Sequence, residues 1–155
     1  MIRTATLDDA PAAARVTVAA GMFTDEEAEF MPGLFADALS EPRGGEHGLV
    51  VDEVDGQVVG VAYWHPVEAA DRVVDLTMIA VDPGSQGRGL GRALMRHAED
   101  RARTAGQRLM LVMTSGTEQY AGTRRFYATV GYDEEARVRD YWADGDDMVL
   151  FRLVL

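Results

Sequence analysis

Apolar and polar positions along this chain follow two periods, and the places where the period changes mark its elements. Ile2 to Thr6 alternates and predicts a short first strand. Thr6 or Asp8 supplies a cap for a helix running to about Ala20, with Pro11 in its first turn. Val16 and the alanines at 12, 13, 19 and 20 give that helix a small-residue packing face, and Gly21 ends it. Thr24 followed by Glu27 has the spacing of a capping box. It predicts a second helical stretch, broken around Pro32-Gly33 and resuming to about Leu39, with a loop from Ser40 to Gly45. Strands then dominate. Gly48 to Glu53 and Gln57 to Tyr63 flank Asp55-Gly56, a hairpin signal, and Trp64-His65-Pro66 ends the second of them. Val67 to Arg72 reads as a loop and Val73 to Val81 as the next strand.

The helical period returns after Gly89, where Leu90, Leu94, Ala98 and Ala102 make a packed stripe. Arg92, Arg96, Glu99, Asp100 and Arg103 are expected to face water. Arg108 to Met113 is a nearly continuous apolar run, the pattern of a strand buried on both faces. A helix from about Gln119 to Val130 is stopped by Gly131. Phe126 and Val130 are expected to face the core, while Tyr120, Thr123 and Tyr127 share another face. Two last strands, about Glu134–Trp142 and Met148–Val154, flank Ala143–Asp147. The sum predicts one α/β (α+β) domain over residues 1–155, with a mixed, mostly antiparallel central sheet and helices on both faces.

One stretch has more than a packing pattern. The strand ending at Val81 runs through Asp82-Pro83-Gly84-Ser85 into Gln86-Gly87-Arg88-Gly89-Leu90-Gly91-Arg92, which opens the helix. Backbone N–H groups at a helix start lack intrahelical partners, and the helix dipole adds partial positive charge there. Glycines at 87, 89 and 91 let main chain approach a ligand without side-chain obstruction, so the turn is a phosphate cradle. The lysine and serine or threonine of a nucleotide-triphosphate loop are missing, and the turn's mid-chain position after antiparallel signals disfavours a dinucleotide-binding unit.

Composition narrows the chemistry by exclusion. The 155 residues contain no cysteine, which removes disulfides, thiol nucleophiles and thiolate metal sites. A net charge of −11 argues against non-specific nucleic-acid binding and anionic membranes, and mildly favours cationic substrates such as amines, though solubility accounts for it as well. Neither a signal-peptide pattern nor a transmembrane-length apolar run is present, so a cytoplasmic protein is expected. Asp144, Asp146 and Asp147 flank an Asp-Gly step that reads as a hairpin turn, without the ligand spacing of a calcium loop. His47, His65 and His97 are dispersed without metal-ligand spacing, and no metal site is expected. Arg124 and Arg125 read as a solvated helix face.

The segment Ile79 to Met95, containing Gln86-Gly87-Arg88-Gly89-Leu90-Gly91-Arg92, resembles the acetyl-CoA-binding motif of the GCN5-related N-acetyltransferases, the GNAT family. Arg125-Phe126-Tyr127-Ala-Thr-Val-Gly131-Tyr132 resembles that family's second hallmark, an aromatic pair just before a Gly-aromatic step. The resemblance implies acetyl transfer from acetyl-CoA, as co-substrate, to a primary amine by direct attack. It implies that backbone groups of Ile79 and Val81 bind the pantetheine arm, and that Gly87, Arg88, Gly89, Leu90, Gly91 and Arg92, with Gln86, hold the pyrophosphate. It also implies that the Met78–Val81 strand splays from the Arg108–Met113 strand.

Tyr127 matches the tyrosine that protonates the departing thiolate. Asp75 matches an acidic position used by some members as general base, and strand alternation would put Asp75, Thr77, Ile79 and Val81 on one face. Two further readings of Asp75 stand beside that one: an exposed strand residue, or a base role taken by Glu118 or by water. Tyr120 occupies the position of a cofactor-contacting asparagine in many relatives, so that bond is replaced or absent, and Tyr120 is expected to contact the CoA arm or shape the acceptor site. The family also admits homodimers. The alternative function is a non-catalytic acyl-CoA-binding or sensing module, and the amine acceptor is not specified by these residues.

Overall fold

The computed structural model describes residues 1–40 and 47–155. The expected loop from Ser40 to Gly45 lies outside the described residues except for Ser40, which closes a helix. Seven strands form one sheet: β1 (Ile2–Thr4), β2 (Gly48–Val54), β3 (Gln57–Pro66), β4 (Val73–Val81), β5 (Leu109–Ser115), β6 (Asp133–Ala143) and β7 (Asp146–Val154). Their spatial order is β1-β2-β3-β4-β5-β7-β6, and every pairing is antiparallel except β4 with β5. The helices are α1 (Ala10–Ala19), α2 (Met31–Ser40), α3 (Leu90–Thr104) and α4 (Ala121–Thr129).

Two cores lie on opposite faces of the sheet. On one face Ala13 and Val16 of α1 and Met31 and Phe35 of α2 pack on Leu49, Val51, Val61, Met78 and Ala80. On the other, Leu94, Ala98 and Ala102 of α3 and Tyr127 of α4 pack on Trp64, Val74, Leu76, Met110, Val112 and Phe151. The stripe read from the sequence of α3 is this second face, with Leu90 only half-buried at its open end. Gly48 lies flat against Trp64, and a Cβ there would collide with the indole. Helices therefore cover both faces, as the hydrophobic pattern requires.

Caps and turns explain most element boundaries. Thr6 and Asp9 form a capping box on the 3-10 turn Leu7–Asp9, and Asp9 is the N-cap of α1 that follows it, so neither Thr6 nor Asp8 caps α1 itself. Asp9 also accepts two bonds from Arg3, which holds its carboxyl well below the usual carboxylate range. The Thr24–Glu27 box forms reciprocally, with Glu27 accepting from the Thr24 N–H at 2.8 Å and Thr24 Oγ1 accepting from the Glu27 N–H at 3.2 Å. The expected break at Pro32-Gly33 does not occur. Pro32 is the second residue of α2, where its missing N–H has no intrahelical partner to lose.

Three further expectations fail for tertiary reasons. β5 is not buried on both faces: burial alternates, with Met110 and Val112 in the core and Met113 37% exposed. Glu99 does not face water; it is 7% exposed on α3 and accepts from the Tyr132 hydroxyl at 3.3 Å. Arg124 is not a solvated side chain, because its guanidinium donates to the carbonyls of Ser115 and Thr117 at 2.8 and 2.7 Å.

Candidate active site

β4 and β5 pair only over Val73–Asp75 and Leu109–Leu111, with Asp75 opposite Leu111 as the last pair. Beyond it β5 stays paired with β7, and β4 stays paired with β3. The sheet therefore forks, and Asp75 sits at the apex. The splay expected between the Met78–Val81 strand and its neighbour is this fork.

The open edge of the fork presents main chain. Asp82 N–H donates to the Val59 carbonyl at 2.8 Å, and the register runs Val61↔Ala80 and Tyr63↔Met78. In an antiparallel ladder alternate residues bond to a given neighbour. Met78, Ala80 and Asp82 thus bond to β3, and the N–H and C=O groups of Ile79 and Val81 face the gap. The Val81 carbonyl accepts from the Gln86 side-chain amide at 3.0 Å, which draws the following turn back against the strand end.

That turn is built as a cradle. Asp82 caps a short 3-10 turn by accepting from the Gly84 N–H at 2.9 Å. Gly87 and Gly89 then take left-handed conformations with φ of +74° and +83°, and a Cβ on either would meet nothing within 4 Å. Gly89 is the N-cap of α3 and offers no side-chain acceptor. Its carbonyl accepts from Ala93, so the preceding N–H groups of Leu90, Gly91 and Arg92 point outward past an open surface. Arg88 and Arg92 are exposed beside it. Phe126 lies 3.4 Å from where a Gly91 Cβ would be, so helix α4 borders the cradle directly.

Asp75 and Tyr127 reach the apex from opposite sides of the sheet. Register shifts between Tyr63↔Met78 and Trp64↔Leu76, leaving Thr77 as an extra residue. This bulge reverses the alternation: Val74 and Leu76 pack on the α3 side, and so do Ile79 and Val81. Asp75 consequently turns to the α1–α2 side, opposite His65 of β3. The expectation that Asp75, Thr77, Ile79 and Val81 share one face is corrected by that single inserted residue.

Asp75 is 8% exposed, and its Oδ1 makes no hydrogen bond among the described residues. Burial raises its carboxyl above the ordinary value, opposed by the charge of His65. Tyr127, on the α3 side, is 4% exposed with ring centroids 5.6, 6.2 and 5.4 Å from Phe126, Tyr132 and Phe151. Burial pushes its phenol far above the ordinary range, and the negative charge of Asp75 pushes it further. Tyr127 rather than Phe126 is the core residue of α4, and Phe126 and Val130 are only partly buried.

The remaining predicted residues divide. Tyr120 is half-buried at the N-terminus of α4, and Glu118 is exposed two residues before it. Asp144-Gly145 is the hairpin tip expected from sequence, with Ala143 paired to Asp146. Asp146 accepts from Ser115 at 2.6 Å and Asp147 from the Asp140 N–H at 3.0 Å. Two features had no sequence signal beyond their residue type. His65 meets Asp75 only through the β3–β4 register. Trp142, 49% exposed, donates from its indole to the Thr114 carbonyl of β5 at 3.3 Å and stacks edge-on with Tyr141.

No helix among the described residues is long and apolar enough to cross a membrane. The model of the Acetyltransferase (GNAT) family matches residues 15–132. An amino-acid acetyltransferase from Ralstonia nicotianae is 35% identical over 103 residues, which span 66% of this chain and 23% of that protein. A structure from Desulfovibrio desulfuricans assigned to the GNAT family is 35% identical, with a TM-score of 0.91 over 99% of this chain and 98% of that one. A structure from Salmonella typhimurium, solved with its cofactor acetyl-CoA, superposes with a TM-score of 0.80 at 21% identity over 100% of this chain and 93% of that one, a likeness of fold.

Proposed function

Because the chain belongs to the GNAT acetyltransferase family, we propose that it transfers an acetyl group from acetyl-CoA to a primary amine by direct attack at the β4–β5 fork. The observation that supports this most is the fork itself: an open strand edge that runs from a buried, unpaired carboxylate at its apex to a glycine cradle at its mouth. Six residue steps separate Asp75 from Val81, about 20 Å at ~3.3 Å per strand residue. An extended pantetheine arm has room along that edge, hydrogen-bonded to Ile79 and Val81, with its pyrophosphate on the N–H groups of Gly87 to Arg92.

Each side chain has a defined task in this reading. Asp75 takes a proton from the acceptor ammonium, and the freed amine attacks the thioester carbonyl. A main-chain N–H near Ile79–Val81 stabilises the oxyanion. As the tetrahedral intermediate collapses, the attacking nitrogen sheds its second proton to water and the C–S bond breaks, while the Tyr127 hydroxyl hydrogen-bonds the departing thiolate, which takes its proton from solvent. The raised pKa of Tyr127 keeps the phenol protonated at neutral pH, so it is always in the donor state. A free thiol titrates near about 8.5 and an ordinary phenol near about 10. Complete transfer from a phenol raised still higher is therefore uphill, and the donor stabilises developing charge on sulfur. The expected cytoplasmic location and the question of dimerisation belong to the same proposal.

A thiol-release assay with acetyl-CoA and a panel of primary amines tests the reading, with Tyr127→Phe as the control. Amine-dependent release that falls in the variant, at unchanged acetyl-CoA affinity, supports an enzyme. Acetyl-CoA binding without release on any amine supports the non-catalytic module instead.

A further inference from the structure

The buried carboxylate at the fork has a neighbour that the proposed chemistry leaves unused. His65 stands directly across the β3–β4 ladder from Asp75, so the two side chains project from the same face. Its Nδ1 lies 2.9 Å from the carbonyl of Pro66. A carbonyl only accepts, so Nδ1 carries the hydrogen, and Nε2 of the neutral ring is the basic nitrogen. Pro66 thus fixes the tautomer, as the orienting partner of a histidine base does. His65 is half-buried, whereas Asp75 is almost fully enclosed, so the imidazole lies on the solvent side of the pair.

Resting on the assignment of Asp75 as proton acceptor, the geometry points to His65 as the residue through which Asp75 discharges the acceptor's proton. The ammonium gives one proton to the Asp75 carboxylate and becomes a neutral amine. The Asp75 carboxyl gives that proton, through an intervening water, to His65 Nε2, which regenerates the carboxylate and forms an imidazolium. The imidazolium returns the proton to water. No bond other than those N–H and O–H bonds is made or broken. His65 is a positioning residue for this reaction, since it acts on the acceptor only through Asp75. The pair answers a physical problem. Burial makes the Asp75 carboxyl hold its proton more tightly than an exposed one would, and the more exposed imidazole gives that proton a route to solvent.

Among the described residues, these groups face the pair. Asp75 has His65 on β3, Tyr127 on α4 and the apolar Leu111 on β5. His65 has Tyr63, with ring centroids 5.7 Å away, and His47, at 6.1 Å. Tyr127 stays neutral across the accessible range, which leaves His47 as the other group to be followed in a titration.

The test needs no acceptor at first. The carboxyl carbon of Asp75 is followed by NMR through a pH titration, assigned by its loss in Asp75→Asn, in wild type, His65→Gln and His47→Gln. Loss of the histidine charge in His65→Gln is expected to move the Asp75 midpoint upward by roughly one unit, with a smaller change in His47→Gln. An Asp75 titration that is the same in His65→Gln and wild type would overturn the pair.

With the amine found by the thiol-release screen, His65→Gln is expected to lower kcat/KM about tenfold, to move its acid limb, and to leave the acetyl-CoA KM alone. Imidazole is expected to restore activity to His65→Ala. Unchanged kcat/KM in Asp75→Asn would remove the base assignment on which the inference rests. A large loss in Asp75→Asn beside a wild-type pH profile in His65→Gln would remove the relay alone.

Discussion

The glycine turn and the apex of the fork lie at opposite ends of one strand, and the proposed reaction asks different things of them. The turn works through main chain: left-handed Gly87 and Gly89, an uncapped helix start, and the Gln86 amide tying the loop to Val81. No side chain there is buried or strained in charge. The apex works through side chains whose protonation is set by enclosure: Asp75 without a hydrogen bond on Oδ1, Tyr127 under three aromatic rings, His65 oriented by Pro66. A site that binds a diffuse anion can stay exposed and neutral, because oriented dipoles suffice. A site that moves protons must desolvate its groups, because only burial moves their pKa values far enough. Substitutions at the two ends should therefore fail differently, in affinity at the turn and in turnover or pH dependence at the apex.

The largest effect is expected from Gly89→Val. The bulky side chain occupies the space where the ligand must approach, and φ of +83° is unfavourable for a β-branched residue. Acetyl-CoA affinity measured by calorimetry should fall by about a hundredfold or more, with a stability loss of about 1–2 kcal/mol from the strained backbone. A folded variant with wild-type affinity would break the comparison at its first term.

Tyr127→Phe comes next. It removes the donor and keeps the packing on Phe151 and Tyr132, so kcat should drop by about 10²-fold at unchanged acetyl-CoA affinity. An equal loss of affinity would move Tyr127 from the proton-handling end to the binding end.

Asp75→Asn gives a smaller effect on stability and one of opposite sign. Burial raises the folded-state pKa of Asp75 above its unfolded value. The folded state therefore binds this proton more tightly than the unfolded chain does. The stability linked to it is present below the unfolded pKa and is lost as pH rises through the raised folded value. The amide carries no such cost, so near pH 7 the variant should melt a few degrees above wild type, and the two should converge in acid. Its kcat/KM should fall at the same time. A variant less stable than wild type at neutral pH would show that the Asp75 carboxylate is held by partners rather than kept vacant for one.

Gln86→Ala is the mildest. It removes the amide that holds the turn against Val81, at an exposed position, so acetyl-CoA binding should weaken only several-fold, by about 1 kcal/mol. Loss of turnover without loss of affinity would run against the division drawn between the two ends.

Much of this was legible along the chain because it is local. Thr24 and Glu27 cap one turn, Asp55-Gly56 and Asp144-Gly145 close hairpins, and the α3 stripe follows from the turn of a helix; none needs a distant partner. The cradle was legible for the same reason, since strand, glycines and helix start are contiguous in sequence. Glu99 and Arg124 were misjudged because their partners, Tyr132 and the Ser115–Thr117 carbonyls, come from other elements. Pro32 was misjudged because whether a proline breaks or begins a helix depends on where the helix starts.

By itself, then, the sequence determined where the strands, helices and glycine cradle lie, and which tyrosine and which aspartate were candidates for the chemistry. Only the tertiary structure decided which faces those candidates use. One extra residue at Thr77 turned Asp75 away from Ile79 and Val81, put it across from His65, and left Tyr127 on the other side of the sheet. The reason is the two-residue period of a strand: a single insertion exchanges its faces, and only pairing with a neighbouring strand reveals the insertion.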